Sequence, residues 1–150
     1  FRQKPIESLF DKAKAQKTAL IVRLPVASGL LSGKFNPKTT FASNDHRTFN
    51  REGQVFYIGE TFAGLPFEKG LKLVEELRTM TPPPMTMAQT AIRFTLDFDA
   101  VSVVIPGATR ASQLKENVSV GDMPPLPAEL HTQLRQFYDQ NVAQHIRGVY

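Results

Sequence analysis

The stretch VSVVIPGATRASQLKENV, residues 101–118, decides how the rest of the chain is read. Val101, Val103, Val104 and Ile105 form a short apolar, β-branched run that stops at Pro106-Gly107, which predicts a buried strand. The residues after it predict a helix that opens near Ala108 or Thr109 and carries Leu114 and Val118 on one face. A strand, a tight turn and a helix that opens on small residues leave backbone N–H groups free at the helix N-terminus. Together with the positive end of the helix dipole, those donors suit an anion, phosphate above all. Arg110 adds a positive charge, and Gln113, Glu116 and Asn117 lie three or four residues further on, where they can face the same side. Charge at one end with amide and carboxylate groups at the other fits a nucleotide. The same pattern also describes a joint that merely connects two elements.

Working outward, a capping-box signature, Thr86 followed by Gln89, predicts the helix that precedes this strand, with Ala88, Ala91, Ile92, Thr95 and Leu96 at helical spacing. A helix over 69–80 comes before it, with Leu73, Val74, Leu77 and Met80 inward, and Thr81-Pro82-Pro83-Pro84 ends it. Upstream again, Ala19 to Val22 is wholly apolar, as in a strand covered on both faces within a parallel sheet. It runs into Arg23-Leu24 and then PVASGLLSGK, residues 25–34. Residues 35–67 show no regular period, yet Phe41, Phe49, Phe56, Tyr57, Phe62 and Phe67 recur among polar residues. A loop of that length is usually functional or disordered, and its aromatics predict that it packs down as a lid or rim. One helix is expected from Pro5, with Ile6, Leu9, Phe10 and Ala13 on its apolar face. Residues 127–150 read as a last helix with Leu130, Leu134, Phe137 and Tyr138 on one stripe, then an aperiodic tail from His145 to Tyr150.

Strands alternating with helices imply right-handed βαβ units and a parallel sheet, so the fold class is α/β. Two strands cannot bury both faces of each other. The chain is therefore read as part of a larger parallel barrel or sheet. It starts at Phe1 without a Met, which fits a piece of something longer.

The net charge is +4, with the basic residues scattered and not interleaved with aromatics, so nucleic acid is not an expected partner. A mildly basic balance fits phosphorylated ligands. There is no cysteine, which removes disulfides and thiolate metal sites. No apolar run reaches the length of a membrane span and no signal peptide is visible, so a cytoplasmic protein with no membrane partner is expected. His46, His131 and His145 show no ligand spacing, so they read as surface residues and no metal site is expected. Asp97 and Asp99 read as a loop feature because i and i+2 point apart on a helix, and Met85 and Met87 as core filler.

PVASGLLSGK (25–34) and IPGATRASQLKEN (105–117), in this order and with a capped helix between them, resemble the C-terminal half of the aldo-keto reductases. The similarity is strongest to the branch with bacterial oxidoreductases and potassium-channel β subunits. Its most specific element is Gly-x-Thr-x-x-x-Gln-x-x-Glu-Asn over positions 107–117. The resemblance implies a (β/α)8 TIM barrel whose parallel strands seven and eight lie at about 19–23 and 101–105, with the whole chain as its C-terminal half. It implies NADP(H) as cofactor and reduction of a small-molecule carbonyl compound, an aldehyde or ketone. Gly107, Thr109 and Arg110 would meet the adenosine phosphate, with Gln113 nearby, and Glu116 and Asn117 the adenine edge. Pro25, Val26, Ala27, Gly29 and Lys34 would line the pyrophosphate, and Arg47 would fold over the cofactor. Arg23 and Leu24 stand where the family often has an aromatic, which stacks on the nicotinamide, and a Ser; a planar guanidinium can also stack on a ring. The family's catalytic Asp, Tyr, Lys and His come from the N-terminal half, which becomes a required partner, so no catalytic residue is assigned here. The alternative that the resemblance leaves open is a non-catalytic NADP(H)-binding regulatory module like the channel β subunits. Association of copies through open strand edges is also possible.

Overall fold

The computed structural model describes residues 1–149; Tyr150, the end of the aperiodic tail, lies outside the described residues. The two apolar runs pair. β1 (Leu20–Arg23) and β2 (Val101–Ile105) form a parallel two-stranded sheet in which Ile21 faces Val103, Val22 faces Val104 and Arg23 faces Ile105. The helices are α1 (Pro5–Ser8), α2 (Phe10–Ala15), α3 (His46–Phe49), α4 (Phe67–Arg78), α5 (Met87–Leu96), α6 (Ala111–Ser119) and α7 (Ala128–Phe137).

The expected burial of both strands is not met. Ile21 is 63% exposed, Val103 41% and Ile105 51%. Each strand has one hydrogen-bonded neighbour, so one edge of each is open, and helices of this chain cover only part of the sheet. The apolar face of α6 is present but uncovered in the same way, with Leu114 and Val118 both exposed.

α5 starts where the capping box places it: Gln89 N donates to Thr86 Oγ1 (3.2 Å) and Thr86 N donates to Gln89 Oε1 (2.9 Å). It leads straight into β2 as the crossover helix. α4 begins two residues before the expected start, because Pro66 sets an extended N-cap and Phe67 is already buried. The expected first helix is two short ones, broken at Leu9 with φ −128°.

Residues 35–67 pack down in part: Phe41, Phe62 and Phe67 join the core, while Phe49, Phe56 and Tyr57 stay exposed. The rings of Phe35 and Phe41 meet at 5.2 Å, Phe41 and Phe62 at 5.9 Å, and Phe62 and Phe67 at 4.9 Å. Phe62 and Leu65 are fully buried, and they pack with Leu30, Leu31, Leu73, Phe137 and Val142 in one core. Buried Asn50 holds the loop from inside: its Oδ1 accepts from Val55 N (2.9 Å) and Phe56 N (2.8 Å), and its Nδ2 donates to Thr61 Oγ1 (3.2 Å). Met87 packs against this core, as its reading as filler requires.

Two side chains differ from their sequence reading. His131 is not a free surface residue: its Nε2 sits 2.8 Å from Asp97 and its ring stacks on Phe94 at 4.9 Å. Asp97 also accepts from Arg93 Nε (2.7 Å) and Leu126 N (2.9 Å), so it joins α5, the 120–126 segment and α7. Asp99, two residues on, is a surface partner of Lys14. Among the described residues no helix is long and apolar enough to cross a membrane.

Candidate functional site

Because β1 and β2 are parallel and pair Arg23 with Ile105, past a register irregularity between Leu20 and Ile21, the segments after Arg23 and after Ile105 leave the sheet from the same end. That is where both candidate loops begin.

The first loop is wound into left-handed backbone. Leu24, Ala27, Ser28 and Gly29 have φ of 54°, 50°, 56° and 89°. Each of the three non-glycine positions costs about 1–2 kcal/mol, so the surroundings must hold the loop. Ser28 Oγ donates to Glu60 O (3.1 Å) and accepts from Phe62 N (3.3 Å). At Gly29 a Cβ would come 3.0 Å from the Phe35 ring and 3.6 Å from Arg47 Nη1. Leu30 to Ser32 form a 3-10 turn that buries Leu30 and Leu31, and Gly33 ends it at φ 68°.

Arg47 reaches this loop from α3. Its Nη1 donates to Ser28 O (3.4 Å) and its guanidinium lies over Phe41 at 4.3 Å. Asp45 accepts from its Nε (2.9 Å) and Nη2 (2.6 Å). Those bonds from Arg47 are the main reason the Asp45 carboxyl titrates at about 2, below its ordinary 3.8. Arg47 is thus brought over the glycine loop, with much of its donor capacity already used. Lys34 is exposed, and its backbone N donates to Ser32 Oγ at 3.3 Å.

In the second loop, Gln113 caps the helix itself. Its Oε1 accepts from Thr109 N (2.8 Å), Thr109 Oγ1 (3.0 Å) and Arg110 N (3.1 Å). Asn117 Nδ2 donates to Gly107 O (3.4 Å), so it folds back on the loop, and Glu116 is exposed. A Cβ on Gly107 would meet nothing within 4 Å, so the fold itself does not demand glycine there.

A cavity of about 330 Å³ opens beside β1. Arg23, Pro25 and Ala27 line it with apolar groups of α5 and α7; Val26, Gly29, Lys34, Arg47 and residues 107–117 do not. Leu31 lines it too, so the first loop is shared: Pro25, Ala27 and Leu31 face the cavity, while Gly29 faces Phe35 and Arg47. Arg23 also pairs with Glu60 (Nη2–Oε2 2.9 Å), a contact the sequence does not signal because the two are far apart in the chain. Among the described residues no three His, Cys, Asp or Glu side chains are grouped to hold a metal ion.

The model of the Aldo/keto reductase family matches residues 1–139, a span that holds both loops. This chain belongs to the aldo/keto reductase family. A probable voltage-gated potassium channel subunit beta of Arabidopsis thaliana is 33% identical over 107 residues, covering 68% of this chain and 29% of that protein. An L-glyceraldehyde 3-phosphate reductase of Escherichia coli K12 is 34% identical over 110 residues, covering 73% of this chain and 30% of that protein. The chain thus spans about three tenths of these curated relatives. In fold it matches the glycerol dehydrogenase AKR11B4 of Gluconobacter oxydans with a TM-score of 0.74 at 20% identity, over all of this chain and 43% of that one. The holo aldo-keto reductase AKR11C1 of Bacillus halodurans matches with a TM-score of 0.62 at 23% identity, over 95% of this chain and 41% of that one.

Proposed function

We propose that this chain is the C-terminal part of a (β/α)8 barrel, with β1 and β2 as its seventh and eighth strands, and that the assembled protein reduces an aldehyde or ketone with NADPH. The observation that carries this reading is the parallel pair with Arg23 beside Ile105, which sends residues 24–34 and 106–117 out from one end of the sheet. In such barrels phosphate sites are commonly built from the loops after strands seven and eight. The exposed faces of Ile21, Val103, Ile105, Leu114 and Val118 are what an N-terminal half of the barrel would cover. The name of a phosphorylated-aldehyde reductase among the relatives supports a small carbonyl substrate.

The helix mouth fits an anionic oxygen. Three donors meet on Gln113 Oε1, and an oxygen of a phosphate can take the place of that amide. Gly107 leaves open room for its approach. Gly107, Thr109 and Arg110 would then hold the adenosine phosphate, with Gln113 nearby, and Glu116 and Asn117 the adenine. Pro25, Val26, Ala27, Gly29 and Lys34 would hold the pyrophosphate under Arg47, with Arg23 beside the nicotinamide. The cofactor, when bound, supplies the hydride for the carbonyl carbon. The proton for the carbonyl oxygen comes from a Tyr of the N-terminal half, its pKa lowered by a Lys there. The protein is read as cytoplasmic, without nucleic-acid or membrane partners, and its open strand edges allow association of copies. The test is oxidation of NADPH by the intact, folded protein with aromatic aldehydes, followed by absorbance. Absence of turnover with every carbonyl tried rejects it.

The potassium-channel relative favours a second reading, a regulatory module that binds NADP(H) without turnover. A Tyr and a Lys upstream at the family's positions favour the enzyme; their replacement favours the regulator.

A further inference from the structure

The tail after α7 has no sequence period, yet one side chain in it is tied more heavily than any near it. Arg147 Nε donates to Gly64 O (2.9 Å), and its Nη2 donates to Leu65 O (3.2 Å) and Arg51 O (3.4 Å). Its Nη1 pairs with the Glu52 carboxylate, and its backbone N donates to Gly64 O (3.1 Å). A planar five-donor fork that meets three carbonyls and a carboxylate of one segment recognises that segment's shape, which a point charge cannot do.

The backbone is cut to fit. Gly64, at φ +84°, has no room for a Cβ, which would lie 2.7 Å from Arg147 O. At Gly148, also at φ +84°, a Cβ would lie 2.8 Å from the Tyr57 ring and hydroxyl. Tyr57 OH in turn hydrogen-bonds Val149 O.

Tyr57 opens the 3-10 turn that ends at Glu60, whose N donates back to Tyr57 O at 3.0 Å. Glu60 is the residue that holds Arg23, and its carbonyl takes the Ser28 hydroxyl. Arg23, Gly59 and Glu60 all line the cavity beside β1. A continuous set of contacts therefore runs from the tail to the end of β1 and the start of the glycine loop.

We propose that Arg147 is a positioning residue: it straps the tail across residues 51–65 and, through the Tyr57–Glu60 turn, sets where Arg23 and Ser28 stand. This rests on contacts within the chain and does not require the cofactor reading, so either can fail without the other.

The test is NMR on the intact, folded ¹⁵N-labelled protein, comparing wild type with Arg147→Ala, Glu52→Gln and Glu60→Gln. Two signals are read: amide hydrogen exchange along the chain, and the Arg23 Nε–Hε resonance. In Arg147→Ala, amides of 57–65 should exchange at least about tenfold faster while β1 and β2 amides stay unchanged. The Arg23 resonance should move toward its position in Glu60→Gln. Glu52→Gln, which keeps the carbonyl contacts, should give the same pattern at smaller size. The proposal is overturned if the Arg23 resonance stays put while only the tail loses protection. It is equally overturned if protection falls evenly through β1 and β2, the mark of a general stabiliser. Should Arg147→Ala not fold, Glu52→Gln decides: intact protection at 57–65 and an unmoved Arg23 signal sink the idea.

Discussion

Replacing Asp97 by Ala should be among the most damaging single changes at the periphery of this fold. Its carboxylate, 5% exposed, takes Arg93 Nε at 2.7 Å and His131 Nε2 at 2.8 Å, and these two side chains are 12% and 20% exposed. It also takes the backbone N of Leu126 at 2.9 Å. Arg93, so oriented, donates through Nη1 to Val120 O (3.2 Å) and Met123 O (3.3 Å). Removing one partner of a buried, hydrogen-bonded charge pair costs about 3–5 kcal/mol, and the partial exposure of both partners puts Asp97→Ala near 3 kcal/mol. Asp97→Asn keeps one acceptor oxygen and loses the charge, so about 1–2 kcal/mol is expected. Urea unfolding reads this directly. With a slope of about 2 kcal/mol per molar, the alanine variant should lower the midpoint by about 1.5 M at unchanged slope. Asp99→Ala is the internal control: its partner Lys14 is at the surface, so its midpoint should not move measurably. Equal shifts for Asp97→Ala and Asp99→Ala would refute the reasoning, because burial would then not be what separates the two carboxylates.

The Asp45 carboxyl, held by Arg47, titrates at about 2 in the fold against 3.8 ordinarily, so its contribution is present above pH ~4 and is lost as pH falls through about 2. Melting temperature followed across that acid window should show this loss, and Asp45→Asn should flatten it. Gln113→Ala removes the acceptor shared by Thr109 and Arg110, costing about 1 kcal/mol of stability. The same change frees those donors, so NADP(H) should bind about fivefold more tightly by fluorescence titration; weaker binding would mean that Gln113 itself grips the cofactor. Phe62→Ala, at a fully buried ring, should cost about 3–5 kcal/mol in the same urea assay.

What could be read from the sequence was what is local. β1 and β2 showed as short apolar runs ended by Pro or Gly, and α5 as a capping box whose two members stand three positions apart. The aromatics of 35–67 foretold packing that Phe41, Phe62 and Phe67 make, but not that Phe49, Phe56 and Tyr57 stay exposed. The exposure of β1 and β2 was misjudged because an apolar run reads the same whether or not other elements cover it. The break at Leu9 was hidden because α1 and α2 share one apolar stripe. Several long-range contacts were hidden for a different reason. Arg23–Glu60, Asp97–His131 and the Arg147 fork each join residues distant in sequence, and a lone His or Arg carries no local mark of its partner. The self-cap of Gln113 was foreshadowed only as a side chain able to face the helix mouth.

The most direct test of the account is a titration of the ¹⁵N-labelled chain with NADP(H) and with NAD(H), following backbone amides. The account predicts that amides of Ala27–Lys34 and of Gly107–Asn117 shift together with one affinity, and that NADP(H) binds more tightly than NAD(H). Shifts confined to one of the two loops, or none in either, would contradict it.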